Sequence, residues 1–163
     1  MKKLITIVIL SLFGVANAQH ADKDAVNSTL DHWHKAAAEA NFDAYFSAMT
    51  ADAIYIGTDA TENWNLNQFK AFSKPYFDKG KAWNFKALQR NIYFNAEKDL
   101  AWFDELLDTQ MKICRGSGVM RKEEGKWKIV HYVLSMTVPN EVVDPVIKIK
   151  APIEEAYILS LKK

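Results

Sequence analysis

One histidine interrupts the last long apolar segment of the chain, KWKIVHYVLS at residues 126–135. In a β-strand alternate residues share a face, so His131 would lie on one face with Trp127, Ile129 and Ser135. A neutral imidazole that faces a pocket can give or accept a proton near pH 7. A core histidine bonded to a neighbour is an alternative of equal weight. His131 is therefore a candidate acid or base, and Ser135 a candidate ligand-binding residue.

Two adjacent carboxylates interrupt a second apolar segment, LAWFDELL. Neighbouring strand residues point to opposite faces, so either Asp104 or Glu105 faces the interior, and the sequence leaves open which. A carboxylate in an apolar pocket has a raised pKa and can act as a base. If the chain turns at Thr109 and Gln110, Arg115 lies opposite Asp104 and an ion pair would instead lower that pKa. Asp104 and Arg115 are candidate catalytic residues, and Glu105 is a candidate ligand-binding residue.

Two glycines interrupt the next apolar segment, in the sequence RGSG. Glycine weakens strand pairing and offers no side chain for packing. Gly116 and Gly118 therefore indicate either a β-bulge or a close approach of a ligand to the backbone.

No motif predicts a metal site or a cofactor. His32 and His34 are two residues apart on a predicted helix, where their side chains diverge, so they form a poor metal-binding pair. The single cysteine, Cys114, has no local base and is expected to be a small buried apolar residue.

Three helices are predicted ahead of the strands that carry these residues. Apolar residues recur at helical spacing over 22–40, and a second helix is predicted over 41–49 with Asn41 as its N-cap. A third helix is predicted over 66–77. Its inward residues are predicted to be Phe69, Phe72 and Phe77.

The rest of the chain reads as β-structure. A short strand is predicted in AIYIGT, and four long strands over 82–95, 100–109, 111–122 and 126–138. Their short connections require antiparallel neighbours. We therefore predict an α+β domain in which three N-terminal helices pack on a strongly curved antiparallel sheet.

The first residues, MKKLITIVILSLFGVANA, have the organisation of a secretory signal peptide. Two lysines precede an apolar run that is shorter than the roughly 20 residues of a membrane span, and a small-residue cleavage site ends at Ala18. We predict an exported protein, periplasmic or secreted, with no membrane association after cleavage. The predicted domains are the signal peptide 1–18, the folded domain 19–139 and a C-terminal extension 140–163.

Charge and cysteine content exclude several classes of protein. Cleavage removes two of the 21 basic residues and leaves 19 against 20 acidic ones. A nearly neutral chain without a basic stripe is not expected to bind nucleic acid. One cysteine cannot form an internal disulfide, so the core must hold the domain together.

The last strand is apolar on both faces. The face opposite to that of His131 holds Val130, Tyr132, Leu134 and Met136. Helices can bury only one face of a sheet, so the other face is expected to pack on a second subunit. The sequence therefore predicts a homodimer.

Three stretches resemble the nuclear transport factor 2-like superfamily, in its SnoaL-like, ketosteroid-isomerase-like branch. They are NFDAYFSAMTADAIYIGTDATENW, FKAFSKPYFDKGKAW and AWFDELLDTQMKICRGSGVMRKEEGKWKIVHYVLS. The resemblance implies a cystatin-like roll, in which a cone of curved sheet is closed by three helices. It also implies a ligand pocket inside the cone and dimerisation through the outer face of the sheet.

The resemblance places Tyr55, Asp59, Trp64 and Trp83 at the mouth of the cone as ligand-binding residues. An aromatic lining suits a small planar or apolar molecule, although aromatic residues are more often plain core. The family includes isomerases, cyclases, dehydratases, epoxide hydrolases and proteins without a demonstrated reaction. The fold alone therefore does not identify the function.

Two functions are left open. The first is a pocket protein that binds a small apolar or aromatic molecule and catalyses proton transfer, as in isomerisation, dehydration or cyclisation. In it His131 is the acid or base, Asp104 or Glu105 is a second carboxylate, and Arg115 or Tyr55 stabilises developing negative charge. The second is a non-catalytic module for ligand binding or dimerisation.

The content of the cone distinguishes these two functions. An open pocket that holds His131 next to a carboxylate favours the enzyme. A cone filled by Trp64, Trp83 and Phe77 favours the non-catalytic module.

Overall fold

The computed structural model describes the backbone of residues 2–162 and the side chains of residues 20–162. The predicted signal peptide, residues 1–18, therefore lies outside the described side chains. Within the described residues, no helix is both long enough and apolar enough to cross a membrane.

The chain forms four α-helices: α1 (Lys2–Ala38), α2 (Phe42–Ser47), α3 (Leu66–Asp78) and α4 (Val143–Leu161). The three predicted helices are confirmed as α1, α2 and α3. The fourth helix lies in the predicted C-terminal extension, residues 140–163, and is longer than its two prolines, Pro145 and Pro152, suggest. Proline is tolerated in the first turn of a helix, where Pro145 lies, whereas Pro152 lies inside the helix at the cost of a backbone hydrogen bond.

Asparagine side chains begin two of these helices. Asn41 accepts a hydrogen bond from the backbone N–H of Ala44 at 3.1 Å, which confirms it as the N-cap of α2. Asn65 and Gln68 form a capping box at the start of α3. The inward face of α3 contains Phe69 and Phe77 as predicted, but Phe72 is 39% exposed.

Six strands form one curved sheet in the order β2-β1-β6-β5-β4-β3. Neighbours are antiparallel, as predicted, except that β1 and β6 run parallel. The short strand β2 was not predicted from the sequence. The strands are β1 (Met49–Ile56), β2 (Asn63–Asn65), β3 (Lys86–Phe94), β4 (Leu100–Thr109), β5 (Lys112–Glu123) and β6 (Lys126–Met136).

Helices α1, α2 and α3 cover the concave face of this sheet. The core between them is rich in aromatic side chains, which supply large apolar areas in a domain without a disulfide. Its largest fully buried members are Trp33, Tyr45, Tyr132, Phe69, Leu30, Leu107, Met120 and Ile129. The structure is thus the predicted α+β fold of helices on a strongly curved sheet.

A β-bulge in β6 overturns the predicted position of His131. Met120 of β5 pairs with Ile129, but the next pair inward is Val119 with His131, so Val130 is an extra residue. An extra residue reverses the alternation of faces beyond it. Tyr132 therefore points into the cone.

Beyond the bulge, His131 lies on the outer face of the sheet, half-buried, and Ser135 is exposed. Ile129 before the bulge and Tyr132 and Leu134 after it are all buried. The sequence-based alternation was correct up to Ile129 and wrong after it.

Gly118 makes room for this bulge. A Cβ atom on Gly118 would lie 2.4 Å from the backbone oxygen of His131 and 2.9 Å from the ring of Phe103. Of the two readings of the RGSG sequence, the bulge is therefore correct, although the extra residue lies in the neighbouring strand.

The pairing of β4 with β5 corrects a second prediction. Thr109 pairs with Lys112, which places Asp104 opposite Ser117 and not opposite Arg115. The predicted Asp104–Arg115 ion pair is therefore wrong, because the turn lies one residue later than the sequence suggested. Asp104 points to the outer face, where it accepts a hydrogen bond from Nδ2 of Asn91 at 3.1 Å.

Candidate functional site

The interior of the cone contains one fully buried carboxylate, Glu105 on β4, with an exposure of 0%. Its Oε1 lies 2.8 Å from Nε2 of His34 on α1 and accepts a hydrogen bond from the Tyr132 hydroxyl at 3.0 Å. Its Oε2 accepts a hydrogen bond from Nε of Arg90 on β3 at 2.8 Å. Four elements thus converge on a single carboxylate.

Arg90 connects this carboxylate to helix α1. Its Nη1 donates to Oδ1 of Asp31 at 2.8 Å and to Oδ1 of Asn27 at 3.1 Å. Its Nη2 lies 2.8 Å from Oε2 of Glu105, but at an angle that forms no hydrogen bond. The network therefore holds α1 against β3 and β4 as well as neutralising a buried charge.

The environment of Glu105 keeps it ionised. Burial alone would raise the pKa of Glu105, but the hydrogen bond and charge of His34, together with the charge and hydrogen bonds of Arg90, lower that pKa below its ordinary value. Burial, followed by the negative charge of Glu105, raises the pKa of Tyr132 well above its ordinary value. Tyr132 is therefore a neutral donor and Glu105 a charged acceptor.

Gly116 leaves the space that this network occupies. A Cβ atom there would lie 2.1 Å from the Tyr132 hydroxyl and 3.0 Å from Cγ of Glu105. The first glycine of RGSG is thus required by two buried side chains and not by a ligand.

Aromatic rings fill most of the cone around this network. Trp33 stacks on Tyr45 at a centroid distance of 4.8 Å and meets Tyr132 edge-on at 4.7 Å. Phe77 contacts both Tyr45 and Trp83. The sequence left open whether the cone is an open pocket or is filled by aromatic side chains. In the deep interior, the cone is filled.

A cleft of about 160 Å³ remains at the mouth of the cone, between β1, α3 and the β4–β5 turn. At roughly 30 Å³ each, about five water-sized groups fit there. Three of the predicted ligand-binding residues, Tyr55, Trp64 and Trp83, line it. The other lining residues are Gly57, Thr58, Glu62, Phe69, Phe72, Phe85, Gln110, Met111 and Leu134.

Several of these rings are nearly parallel. Tyr55 and Phe69 stack at 3.9 Å with an interplanar angle of 13°, and Trp64 and Phe72 stack at 4.4 Å and 24°. Trp64 and Phe69 are inclined by only 12°. The cleft is therefore bounded by rigid, closely stacked rings.

Phe85 lies between the cleft and the buried network. It lines the cleft, and its ring centroid is 6.2 Å from that of His34. Tyr55 also lines the cleft and lies 5.6 Å from the ring of Tyr132. The cleft and the network are thus neighbours separated by one layer of aromatic side chains.

The remaining predicted site residues lie elsewhere. His131, Asp104, Arg115 and Ser135 lie on the outer face of the sheet, so the structure does not bring them to the cone. Asp59 lies in a separate groove of about 320 Å³ between the β1–β2 loop and α4. Of the two adjacent carboxylates, Glu105 is the one that faces inward.

Sequence reasoning missed His34, Arg90 and Tyr132. His34 was examined only as a metal ligand, and Tyr132 was assigned to the wrong face because of the bulge. Within residues 20–162, no three His, Cys, Asp or Glu side chains are arranged to hold a metal ion.

Several solved structures have a similar fold. The alignment covers most of each of those chains and most of this chain. A provisionally named dehydratase of the NTF2-like family from Streptomyces avermitilis has a TM-score of 0.64 at 12% identity, covering 74% of this chain and 99% of that one. A provisionally named aromatic ring hydroxylase from Novosphingobium aromaticivorans has a TM-score of 0.63 at 15% identity, covering 73% and 91%. A cystatin-like domain of unknown function from Nostoc punctiforme has a TM-score of 0.63 at 15% identity, covering 87% and 97%. Identities this low establish the fold alone.

Comparison of the sequence with protein families supports the same assignment. A search of curated proteins gave no match. The family model described as "SnoaL-like domain" matches residues 26–139, which include β1 to β6 and the whole of the Glu105 network. With its NTF2-like fold, the chain belongs to the SnoaL-like domain family.

Proposed function

We propose that this protein binds a small apolar or aromatic molecule in the cleft at the mouth of the cone. The observation that carries this proposal is the partly exposed aromatic lining of the cleft, with Trp64, Phe72 and Trp83 accessible from outside. Ligand sites are concave and mostly apolar, with a few polar groups. The volume of about 160 Å³ is below the roughly 300 Å³ of sites that bury a drug-sized ligand, which favours a small molecule.

A thermal-shift screen with small apolar and aromatic compounds tests this proposal. A ligand that binds the native state raises the melting temperature by mass action. The matched variant is Trp83→Leu, with Trp102→Leu on the outer face as the control. A compound that stabilises the wild type and Trp102→Leu but not Trp83→Leu supports the cleft, and a broad screen without any stabilising compound argues against it.

Proton-transfer catalysis is a second candidate, and the His34–Glu105 pair favours it. When Nε2 of His34 carries the proton that it donates to Glu105, the free lone pair is on Nδ1. Glu105 then fixes the tautomer and orientation of the ring, as carboxylates do for catalytic histidines. Because the Phe85 ring lies between His34 and the cleft, a ligand in the cleft would reach the imidazole only after that ring moved.

Ligand binding alone is distinguished from proton-transfer catalysis by measuring whether a molecule that binds in the cleft is also converted to a product. His34→Gln removes the acid–base group while retaining a polar side chain of similar reach. If a cleft ligand is also a substrate, this variant is expected to lose at least about a hundredfold in turnover, the lower range for general acid–base catalysis. Unchanged conversion in His34→Gln would exclude the catalytic role.

The signal peptide and export remain a proposal. Asp22, shortly after the predicted cleavage site, bonds to Nζ of Lys122 at 2.5 Å and to Nε1 of Trp127 at 3.2 Å, so cleavage after Ala18 keeps the start of α1 held to the sheet. Mass spectrometry of the protein recovered from the periplasm or medium tests this. A mature chain that begins at Gln19 supports export, and an intact N-terminus in the cytoplasm contradicts it.

We also propose that the outer face of the sheet pairs two copies of the chain. Tyr93 and Trp102 are each 48% exposed on this face and stack at 6.0 Å, with half-buried His131 and Val133 nearby. An exposed apolar sheet face of this kind marks an association surface. Sedimentation of the wild type and of Trp102→Lys tests it, with a dimer expected for the first and a monomer for the second.

A further inference from the structure

One carboxylate, Glu62, lies at the rim of the aromatic cleft. It is held in place by the β1–β2 loop, because its Oε2 accepts a hydrogen bond from the backbone N–H of Asp59 at 3.1 Å. Its backbone carbonyl accepts a hydrogen bond from the N–H of Gly57 at 2.9 Å. Its side chain lies directly over Gly57, where a Cβ atom would be 2.1 Å from Oε2. The carboxylate is therefore positioned before any ligand arrives.

Among the described side chains, the charge of Glu62 has no cationic partner. Among residues 20–162, no Lys, Arg or His nitrogen lies within the 4.0 Å of an ion pair with Glu62. The lining of the cleft likewise contains no cationic side chain. The charge is felt inside the cleft, since burial and then Glu62 raise the pKa of Tyr55. The cleft thus combines aromatic walls with a net negative charge.

Aromatic rings and a carboxylate together are the chemistry that recognises an organic cation. Aromatic rings attract a cation that lies over their face within about 6 Å of the centroid, and quaternary ammonium groups are bound in this way in other proteins. A metal ion would need several oxygen ligands, and this cleft offers one carboxylate. The volume of about 160 Å³ holds a group of the size of one nitrogen with four carbon substituents.

We infer that the cleft binds an organic cation, namely a quaternary or alkylated ammonium group, with Glu62 as its counter-ion and Tyr55, Trp64, Phe72 and Trp83 as its walls. This inference rests on the proposed function, because it names the chemical class of the molecule that the same cleft binds. It adds a requirement for positive charge that an apolar cleft alone does not impose.

Choline and its tert-butyl isostere provide the direct test. The isostere replaces the trimethylammonium group by a tert-butyl group, so it has the same shape without the charge. Affinities are measured by calorimetry with the full mature chain. Cation–π attraction of roughly 1 to 2 kcal/mol corresponds to about five to thirtyfold, so choline is expected to bind at least about fivefold more tightly than the isostere.

Glu62→Gln removes the negative charge of the cleft and keeps its shape. Glu39→Gln removes a charge elsewhere and is the control. The amide of Glu62→Gln retains an oxygen that can accept from Asp59, so the loop is preserved while the charge is lost. Choline affinity is expected to fall severalfold in Glu62→Gln and to stay unchanged in Glu39→Gln, because Glu39 is an exposed residue just after α1 that does not line the cleft.

Each outcome bears on a different claim. If the isostere binds as well as choline, or if Glu62→Gln leaves the choline affinity unchanged, the cation inference is wrong while the proposed small-molecule cleft stands. If neither compound binds, the cation inference is wrong, and the cleft proposal is then decided by the broad screen of apolar and aromatic compounds. A preference for choline that depends on Glu62 supports both.

Discussion

Nε2 of His34 lies 2.8 Å from Oε1 of Glu105, although 71 residues separate them along the chain. This contact joins α1 to β4 at the centre of the cone. Because Arg90 and Tyr132 bond to the same carboxylate, the loss of Glu105 would affect three elements in addition to β4. The network therefore joins one helix and three strands through a single buried carboxylate.

Glu105→Gln is expected to destabilise the domain strongly. The substitution removes the buried counter-charge of Arg90 and leaves the guanidinium only the exposed carboxylate of Asp31. Removing one partner of a buried pair costs about 3 to 5 kcal/mol. Urea denaturation measures this loss. Asp104→Asn, the neighbouring carboxylate on the outer face, is the matched control and is expected to cost less than about 1 kcal/mol. Equal effects of the two substitutions would contradict the assigned network.

The same carboxylate predicts an acid-dependent stability. The pKa of Glu105 is lowered in the folded state from an ordinary value of 4.5, so a proton binds more tightly to the unfolded chain. Its stabilising contribution is complete above that ordinary value and is lost as the pH falls through the lower folded-state value. Unfolding measured from about pH 6 to about pH 3 is expected to show this decline in the wild type. In Glu105→Gln the decline should be shallower, and an identical pH profile would count against this account.

Gly116→Ala tests the packing of Tyr132. The added methyl group would lie 2.1 Å from the phenol oxygen, so the ring must move or the backbone must shift. Overpacking of this kind costs about 1 to 3 kcal/mol. Combining it with Tyr132→Phe removes the closest atom, so the double variant is expected to be more stable than the sum of the single effects. Strict additivity would show that the two positions do not touch.

The bulge in β6 is tested by comparing two adjacent positions. Tyr132→Ala empties a buried site and is expected to cost about 3 to 5 kcal/mol. His131→Ala, on the outer face, is expected to cost less than about 1 kcal/mol in the free energy of unfolding. A larger loss for His131→Ala than for Tyr132→Ala would mean that the histidine faces the core, as simple alternation suggested.

Most of the fold could be predicted from the sequence because its signals are local. Phe69 and Phe77 lie about two helical turns apart on one face of α3, and Asn41 has the side chain that starts a helix, so these elements follow from spacing and capping. The antiparallel order of β3 to β6 follows from short turns. The two faces of a strand likewise follow from alternation as long as no residue is inserted.

The candidate site could not be predicted to the same extent because it depends on register. One extra residue at Val130 turned His131 outward and Tyr132 inward, and a one-residue error at the turn moved Arg115 away from Asp104. Gly118 carried a signal for the bulge, but not which strand contains it. The pairing of His34 with Glu105 depends on how α1 packs across the sheet, and no local pattern encodes that distance.

The most direct test of small-molecule binding uses the indole N–H signals of the five tryptophans. Nuclear magnetic resonance spectra of ¹⁵N-labelled protein are recorded during titration with choline and with its tert-butyl isostere. Trp64 and Trp83 line the cleft, whereas Trp102 lies on the outer face and serves as an internal control. Saturable shifts of the Trp64 and Trp83 signals, with Trp102 unchanged, are the expected result. If neither compound moves the Trp64 and Trp83 signals, or if only Trp102 responds, the cleft does not bind a choline-like molecule.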